Sequence, residues 1–451
     1  MKLIQKLREI WSIDELRQRI LLTLGLIVVY RLGTYIALPG IDPTKLDQMS
    51  SNGSSGILGL VNLFAGGAFN RASIFALGIM PYISASIAIQ LLTLAVPSFQ
   101  KMQKEGESGR RKLNQWTRIL TVVVTAAQGW GYAVYLRNTD GGAIVQSLPP
   151  VVFWASTLVT LTAGTLFVMW MGEKITDKGI GNGISLIIMV GILARFPIAI
   201  AQEFTARLAK GGLIAFVIEM AFLIVVIGAC ILLVQGTRRI PVQYAKRNIV
   251  QGGRMMQAGG VRQFLPLKLN AAGVMPIIFA QAIMFLPATI AQFASSGAQN
   301  SSILMALSDI KSGWYNLLNF LLIVAFTYFY TALIINPTQI ADDLKRNSGF
   351  IPGIKPGKNT ESFIDAVISR ITLPGAIFLG IIAILPAIIM MFGVDQGFAM
   401  FFGGSSILIM VGVILDTLQT IETYLLNRHY DGLTSSGRIK GRQGNMYQTS
   451  M

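Results

Sequence analysis

The chain has 451 residues, 53% of them hydrophobic and only 13% charged, where ordinary globular chains carry roughly 25% charged residues. No soluble core hides that share of apolar surface, so the class is an integral membrane protein. One cysteine (Cys230) and one histidine (His429) exclude an internal disulfide and leave no basis for a His-based relay, a Cys–His nucleophile or a His/Cys zinc centre. The net charge of +16 fits either a nucleic-acid-binding face or the positive-inside bias of a polytopic membrane protein, and its placement decides between them.

Crossing the hydrocarbon takes about 20 apolar residues in a helix. In chain order, a charged amphipathic stretch over 1–19, lacking the apolar core of a cleavable signal peptide, leads into ten qualifying segments. They are 20–38, 72–96, 119–136, 150–172, 184–201, 213–236, 270–292, 315–337, 372–392 and 404–426. Tyr35, Trp116, Tyr135, Trp314 and Tyr315 fall near their ends, where interfacial rings sit. The apolar, glycine-rich piece at 57–69 is too short to span and predicts a re-entrant half-helix. Non-helical backbone at membrane depth must be covered by protein or line a cavity, so this piece predicts a channel-like interior.

With the amino terminus inside, the segments 1–19, 97–118, 173–183, 237–269, 338–371 and 427–451 carry 29 of the 37 Lys/Arg, and the exterior loops carry 6. Acidic residues divide 12 inside, 6 outside and 3 in spans, leaving +17 inside and no net charge outside. Both termini are therefore expected in the cytoplasm. The stretch 237–269 holds Arg238, Arg239, Lys246, Arg247, Arg254, Arg262 and Lys268 with no acid, and 338–371 holds Lys345, Arg346, Lys355 and Lys358. Attraction to anionic headgroups accounts for the charge, but both loops are longer than neighbouring helices need. Length and charge together predict docking of a cytoplasmic partner.

Ten spans divide as five plus five, which places spans 2 and 7 in correspondence. Both contain Gly-x-Met-Pro, at Gly78–Pro81 and Gly273–Pro276, a short match that suggests inverted halves of the kind found in transporters and channels. The run Gly179-Ile180-Gly181-Asn182-Gly183 lies between spans, so it reads as a tight, mobile turn and not a dinucleotide fingerprint. Among ionisable residues in spans, Arg31 lies well within its segment, Glu219 and Glu422 lie near span ends from which they can snorkel, and Asp416 is expected to face the bundle interior with polar partners. Ile79, Ile83 and Ile87 recur at four-residue spacing, as do Ile188 and Ile192; periodicity alone favours a lipid-facing or packed surface. Ser84, Ser86, Gln90 and Asn270 make spans 2 and 7 amphipathic by membrane standards.

Longer strings carry a family likeness. RASIFALGIMPYISASIAIQLLT (71–93), EGESGRRK (105–112), MWMGEKITDKGIGNGIS (169–185), PLKLNAAGVMPIIFA (266–280), FYTALIINPTQIADDLKRNSGFIPGIKPG (329–357) and GGSSILIMVGVILDTLQTIE (403–422) resemble the SecY family, the central subunit of the bacterial protein-conducting channel. The likeness runs in order from about 17 to 442.

The resemblance implies an all-α membrane fold, ten helices in two inverted five-helix halves around a central pore. Its layout is a cytoplasmic N-terminus (1–19), spans 1–5 (20–201) with a plug at 57–69, an exterior loop and span 6 (202–236), a basic loop (237–269), spans 7–8 (270–337), a second basic loop (338–371), spans 9–10 (372–426) and a cytoplasmic tail (427–451). Matching positions imply a pore ring of Ile79, Ile83, Ile188, Ile192, Ile278 and Ile409, which reverses the periodicity reading. They imply a plug carrying Ile57, Leu60, Asn62, Phe64, Gly66 and Gly67, and a lateral gate with Ser84, Ser86, Gln90 and Asn270. Docking residues are Arg238, Arg239, Lys246, Arg247, Lys345, Arg346 and Lys355, the last standing where the family commonly has arginine; lysine loses the planar fork.

The implied partners are SecE-like and SecG-like small membrane subunits, the SecA motor ATPase, the ribosome with its RNA, signal peptides and nascent chains, and membrane lipid, in a bacterial plasma membrane. No cofactor, metal or enzymatic activity is expected. The competing reading is an ion-coupled small-solute transporter with inverted repeats.

Overall fold

The computed structural model describes residues 10–41, 57–138, 149–209, 211–244, 247–251, 254–258, 262–293 and 309–436. In chain order its helices are α1 (Asp14–Gly33), α2 (Ile57–Phe64), α3 (Met80–Ala95), α4 (Pro97–Lys104), α5 (Glu107–Asn138), α6 (Pro150–Lys178) and α7 (Gly183–Ala209). They continue as α8 (Leu213–Gln235), α9 (Met275–Phe293), α10 (Gly313–Ile334), α11 (Pro337–Arg346), α12 (Lys358–Met391), α13 (Gln396–Phe402) and α14 (Gly404–Ser436). Ten of them occupy the ten expected span positions. Among the described residues, seven are long and apolar enough to cross a bilayer alone: α5, α6, α7, α8, α12, the run containing α10, and the apolar part of α14. The pair α3–α4, bent by 102°, makes an eighth if read as one span. α1 starts on charged residues, and α9 shows a shorter apolar run, Met275–Met284.

Exposed side chains on α8 include Ile214, Val217, Ile218, Ile224, Val225 and Leu232. A surface of that kind is stable against acyl chains, not water. Of the two rings expected at this span end, Trp314 is 70% exposed, but the adjacent Tyr315 is 3% exposed and belongs to the core. Helical periodicity turns that ring inward, a distinction that span boundaries alone cannot make.

Span 2 differs from expectation over its first third. Residues 66–79 are turns, and helix begins only at Met80. Gly78 has φ +55°, a left-handed conformation that interrupts any helix arriving from 72, and Pro81 then sits in the first turn, where its missing N–H costs nothing. The same device recurs at the other Gly-x-Met-Pro: Gly273 has φ +63° and α9 starts at Met275. Ile83 N donates to Ile79 O (3.1 Å) and Ile278 N to Val274 O (3.3 Å). The short match in sequence is thus a match in backbone, with Ile83 and Ile278 at equivalent places.

Outside the helical bundle, the two basic loops fold together. β1 (Thr237–Tyr244) lies between β4 (Arg262–Lys268) and β5 (Gly349–Phe350), with Ile240 opposite Leu265 and Tyr244 opposite Gly349. β2 (Arg247–Gln251) and β3 (Arg254–Ala258) form a second antiparallel pair. Pro241 is tolerated because β5 reaches only Gln243 and Tyr244, leaving no ladder bond to lose on that side. Ile240, Val242, Leu267, Leu344, Ile351 and Ile364 make a separate core. The all-helical expectation holds for the spans; these strands were not read from the sequence.

The glycine run at 179–183 is tied down. Thr23 Oγ1 of α1 accepts from Ile180 N (3.2 Å), and Asn182 Oδ1 caps α7 by accepting from Ile184 N (3.1 Å) and Ser185 N (3.3 Å). Glu219 does not snorkel. Arg207 of α7 binds Glu203 (2.8 Å) and Glu219 of α8 (2.6 Å), while Glu203 Oε2 accepts from Asp395 N (2.9 Å) ahead of α13. Glu203 is 1% exposed, so removing its cation strands a buried charge. Arg207→Met should cost about 3–5 kcal/mol, read as a lower detergent melting temperature. Adding Glu203→Gln and Glu219→Gln should restore most of it; no recovery would show that the ion pairs are not the cause.

Candidate functional site

The isoleucines expected to form a ring come from four span helices and the turn before α3, and they converge. Ile83 and Ser84 of α3, Ile188 of α7, Ile278 of α9 and Ile409 of α14 line one cavity of about 20 Å³, closed on one side by Phe64 of α2. That volume holds about one water. Ile79 and Ile192 do not line it; they are buried beside it, in the same cluster as Ile188, Ile409 and Phe64. The expected six therefore divide into four that face the cavity and two that back them. Val274, just before α9, stands at the position equivalent to Ile79 and packs on this cluster, an assignment the repeat could have supplied.

α2 approaches this ring more closely than side chains permit. A Cβ at Gly191 of α7, between Ile188 and Ile192, would collide with the Phe64 carbonyl oxygen. Gly191 was missed in the sequence because its role depends on an element more than 120 residues away. The helix ends on Gly66 (φ +64°) and Gly67 (φ +88°), with Gly67 N donating to Asn62 O (2.8 Å). Left-handed glycines just past the last turn are the usual way to close helical carbonyls. The Asn62 side chain accepts from Asn70 N (3.1 Å), which fixes the next turn. The side chains of Ile57 and Leu60 lie outside the described residues.

The polar residues of α3 do not act as a group. Ser84 Oγ donates to Met80 O (3.1 Å) on its own helix, whereas Gln90 donates to Ser86 Oγ (3.3 Å) and accepts from Tyr330 OH of α10. Tyr330 also packs edge-on to Phe279 of α9 (4.7 Å), in a cluster with Ile87 and Ala272. The α3–α9–α10 seam is thus largely apolar, with the Gln90–Tyr330 hydrogen bond across it. Asn270 is 6% exposed, and its side-chain oxygen has no partner among the described residues. Tyr330 was not singled out from sequence.

Arg238, Arg239, Lys345, Arg346 and Lys355 are exposed on the β-containing unit. Lys355 O accepts from Thr360 Oγ1 (3.0 Å), shaping the turn before α12. Lys246 and the Arg247 side chain lie outside the described residues. Asp416, expected inside the bundle, is exposed on α14, while the neighbouring Leu415 packs on the core.

The SecY family model matches residues 73–418. The chain is 43% identical to the protein translocase subunit SecY of Streptomyces scabiei over 433 residues, covering 93% of this chain and 97% of that one. It is 42% identical to the Thermus thermophilus protein of the same name over 447 residues, covering 97% and 99%. In fold it is similar to a solved protein conducting channel (TM-score 0.61, 15% identity, 94% and 95% covered). It is likewise similar to Sec61 in the canine ribosome–channel complex from the endoplasmic reticulum (TM-score 0.60, 14% identity, 94% and 95% covered).

Gly191→Val should force Phe64 outward. In a Phe64→Cys background it should raise the rate of labelling by a membrane-impermeant maleimide several-fold; an unchanged rate would count against the contact.

Proposed function

The chain belongs to the SecY family of protein translocase subunits, a multi-pass membrane protein and protein-conducting channel, and from that premise we propose how its residues divide the work. One observation supports the reading above the others: four isoleucines from four helices meet the tip of a re-entrant helix around a space the size of a water molecule. Ile79, Ile83, Ile188, Ile192, Ile278 and Ile409 are the pore ring, and α2 with Asn62, Phe64, Gly66 and Gly67 is the plug. Apolar branched side chains exclude ions by dewetting, yet bind no particular sequence as a chain passes.

The α3–α9 seam is the lateral gate, with Gln90 and Tyr330 its polar lock and Ser84, Ser86 and Asn270 beside it. An apolar helix leaving through it gains roughly 0.8 kcal/mol per buried CH₂, and a polar segment gains nothing and continues outward. No covalent step is involved, so the chain is not an enzyme in its own right; the driving force comes from a motor ATPase or a translating ribosome. The exposed Arg238, Arg239, Lys345, Arg346 and Lys355 suit phosphate-rich or acidic docking surfaces. SecE-like and SecG-like subunits complete the assembly in a bacterial plasma membrane, with both termini cytoplasmic as the lysines and arginines favour. The ion-coupled alternative relied on an interior Asp416, and that residue is exposed.

Cysteines at Ile83 and Ile278 should cross-link to a stalled secretory chain, and a cysteine at exposed Ile214 should not; cross-links confined to Ile214 would refute the pore assignment. Tyr330→Phe removes a hydrogen bond of about 1 kcal/mol. It should let weakly hydrophobic signal sequences be exported several-fold better, and no change in export would remove Gln90–Tyr330 from the gate.

A further inference from the structure

Beyond the ring, a cavity of about 780 Å³ opens around the turn that ends α2, and three arginines line it: Arg31, Arg71 and Arg195. Arg71 donates to Gly66 O (2.9 Å) and, through Nε, to Gly67 O (3.2 Å); Arg31 donates to Gly66 O (3.4 Å). Tyr35 braces both guanidiniums, with Arg71 4.1 Å and Arg31 5.7 Å from its ring centre. Arg195 only lines the cavity near Gly67: among the described residues no hydrogen bond joins it to either carbonyl. Among the described residues, none of the three has a carboxylate at ion-pair distance. For Arg71 and Arg31 the acceptors at this turn are two neutral carbonyls, at the negative end of a helix dipole, with Tyr35 beside them.

The chain beyond the turn is fixed separately. Leu38 N donates to Ala72 O (2.8 Å), Ile74 N to Ile36 O (2.9 Å), and Tyr132 OH to Phe69 O (2.6 Å). With 68–79 stitched to the end of α1 and to α5, displacement of α2 is confined to rotation about the two left-handed glycines. Arg71 grips the backbone at that pivot.

We propose that Arg71, with Arg31 beside it, is the positioning residue that holds α2 closed, and that carboxylates of a passing chain are the ligands that draw its guanidinium away. The inference rests on α2 being the plug. A carboxylate outcompetes a peptide carbonyl for a guanidinium because it is charged and accepts both forks of the donor. Acidic side chains arriving in the cavity would thus release the pivot, while neutral ones would have to displace α2 by thrust alone.

The test uses the full chain with its small subunits in liposomes. Resting ion leak should rise roughly tenfold in Arg71→Gln, in line with loss of charge-assisted hydrogen bonds, and less in Arg71→Lys, which keeps the charge. Arg195→Gln should leave it at the wild-type level. A secretory substrate with an Asp/Glu cluster in its leading segment should start translocation several-fold faster than its Asn/Gln counterpart, and Arg71→Gln should abolish that difference. Unchanged leak in Arg71→Gln, or an acidic advantage that persists in it, overturns the proposal. Deletion of 57–65 separates the two ideas: if it leaks and Arg71→Gln does not, only the latch fails, and if the deletion is tight the plug reading itself fails.

Discussion

Residues 66–79 pass through a bundle built for lipid without helical hydrogen bonding, and protein must meet every amide and carbonyl there. Much of the surrounding architecture answers that requirement. The segment after α1 supplies a short bridge between Ala37 and Ser73, Tyr132 reaches across from α5 to Phe69, and Arg71 and Arg31 close the carbonyls at 66 and 67. Small residues let the segment lie close: Ala65, Ala68, Ala72 and Ala76 are all buried. With α2 proposed as a movable plug, the pore needs a fixed loop behind it, and these hydrogen bonds fall on that loop.

What the sequence revealed was what repeats or partitions. Ten apolar segments, the short exception at 57–69 and the sign of the loops follow from counting, because bilayer thickness and charge cost act on each segment by itself. The paired Gly-x-Met-Pro elements were visible, and their backbone meaning, a left-handed glycine before a proline-started helix, explains why so few residues suffice. The ring isoleucines needed the family likeness, since a four-residue spacing looks the same toward lipid, core or pore. Features that depend on two distant elements were not legible. Gly191 matters only because Phe64 arrives there, Glu219 is held by an arginine from another helix, and β1 finds its third strand more than 100 residues later. Asp416 was misplaced because position along a span was read as depth inside the bundle; the angle around the helix decides exposure.

The two sides of the ring are held by different physics. Toward α2 the closest contact is backbone against backbone, at Gly191, with the Leu63 and Phe64 side chains packed into the cluster beside it. Toward α9 and α10 it is side chain against side chain, Ile87, Phe279 and Tyr330, with rotamers that can adjust in small steps.

The joint folding of the two basic loops has a mechanical side. β1 leaves the end of α8, β4 leads into α9, and Leu269 N donates to Gly236 O (2.8 Å) where the strands enter the bundle. The segment 349–357 is strapped to β1 at one end and runs into α12 at the other. Under the proposed function, a load applied to the exposed lysines and arginines would act through the paired β1 and β4 on the roots of α8 and α9, a lever on one wall of the pore at a distance.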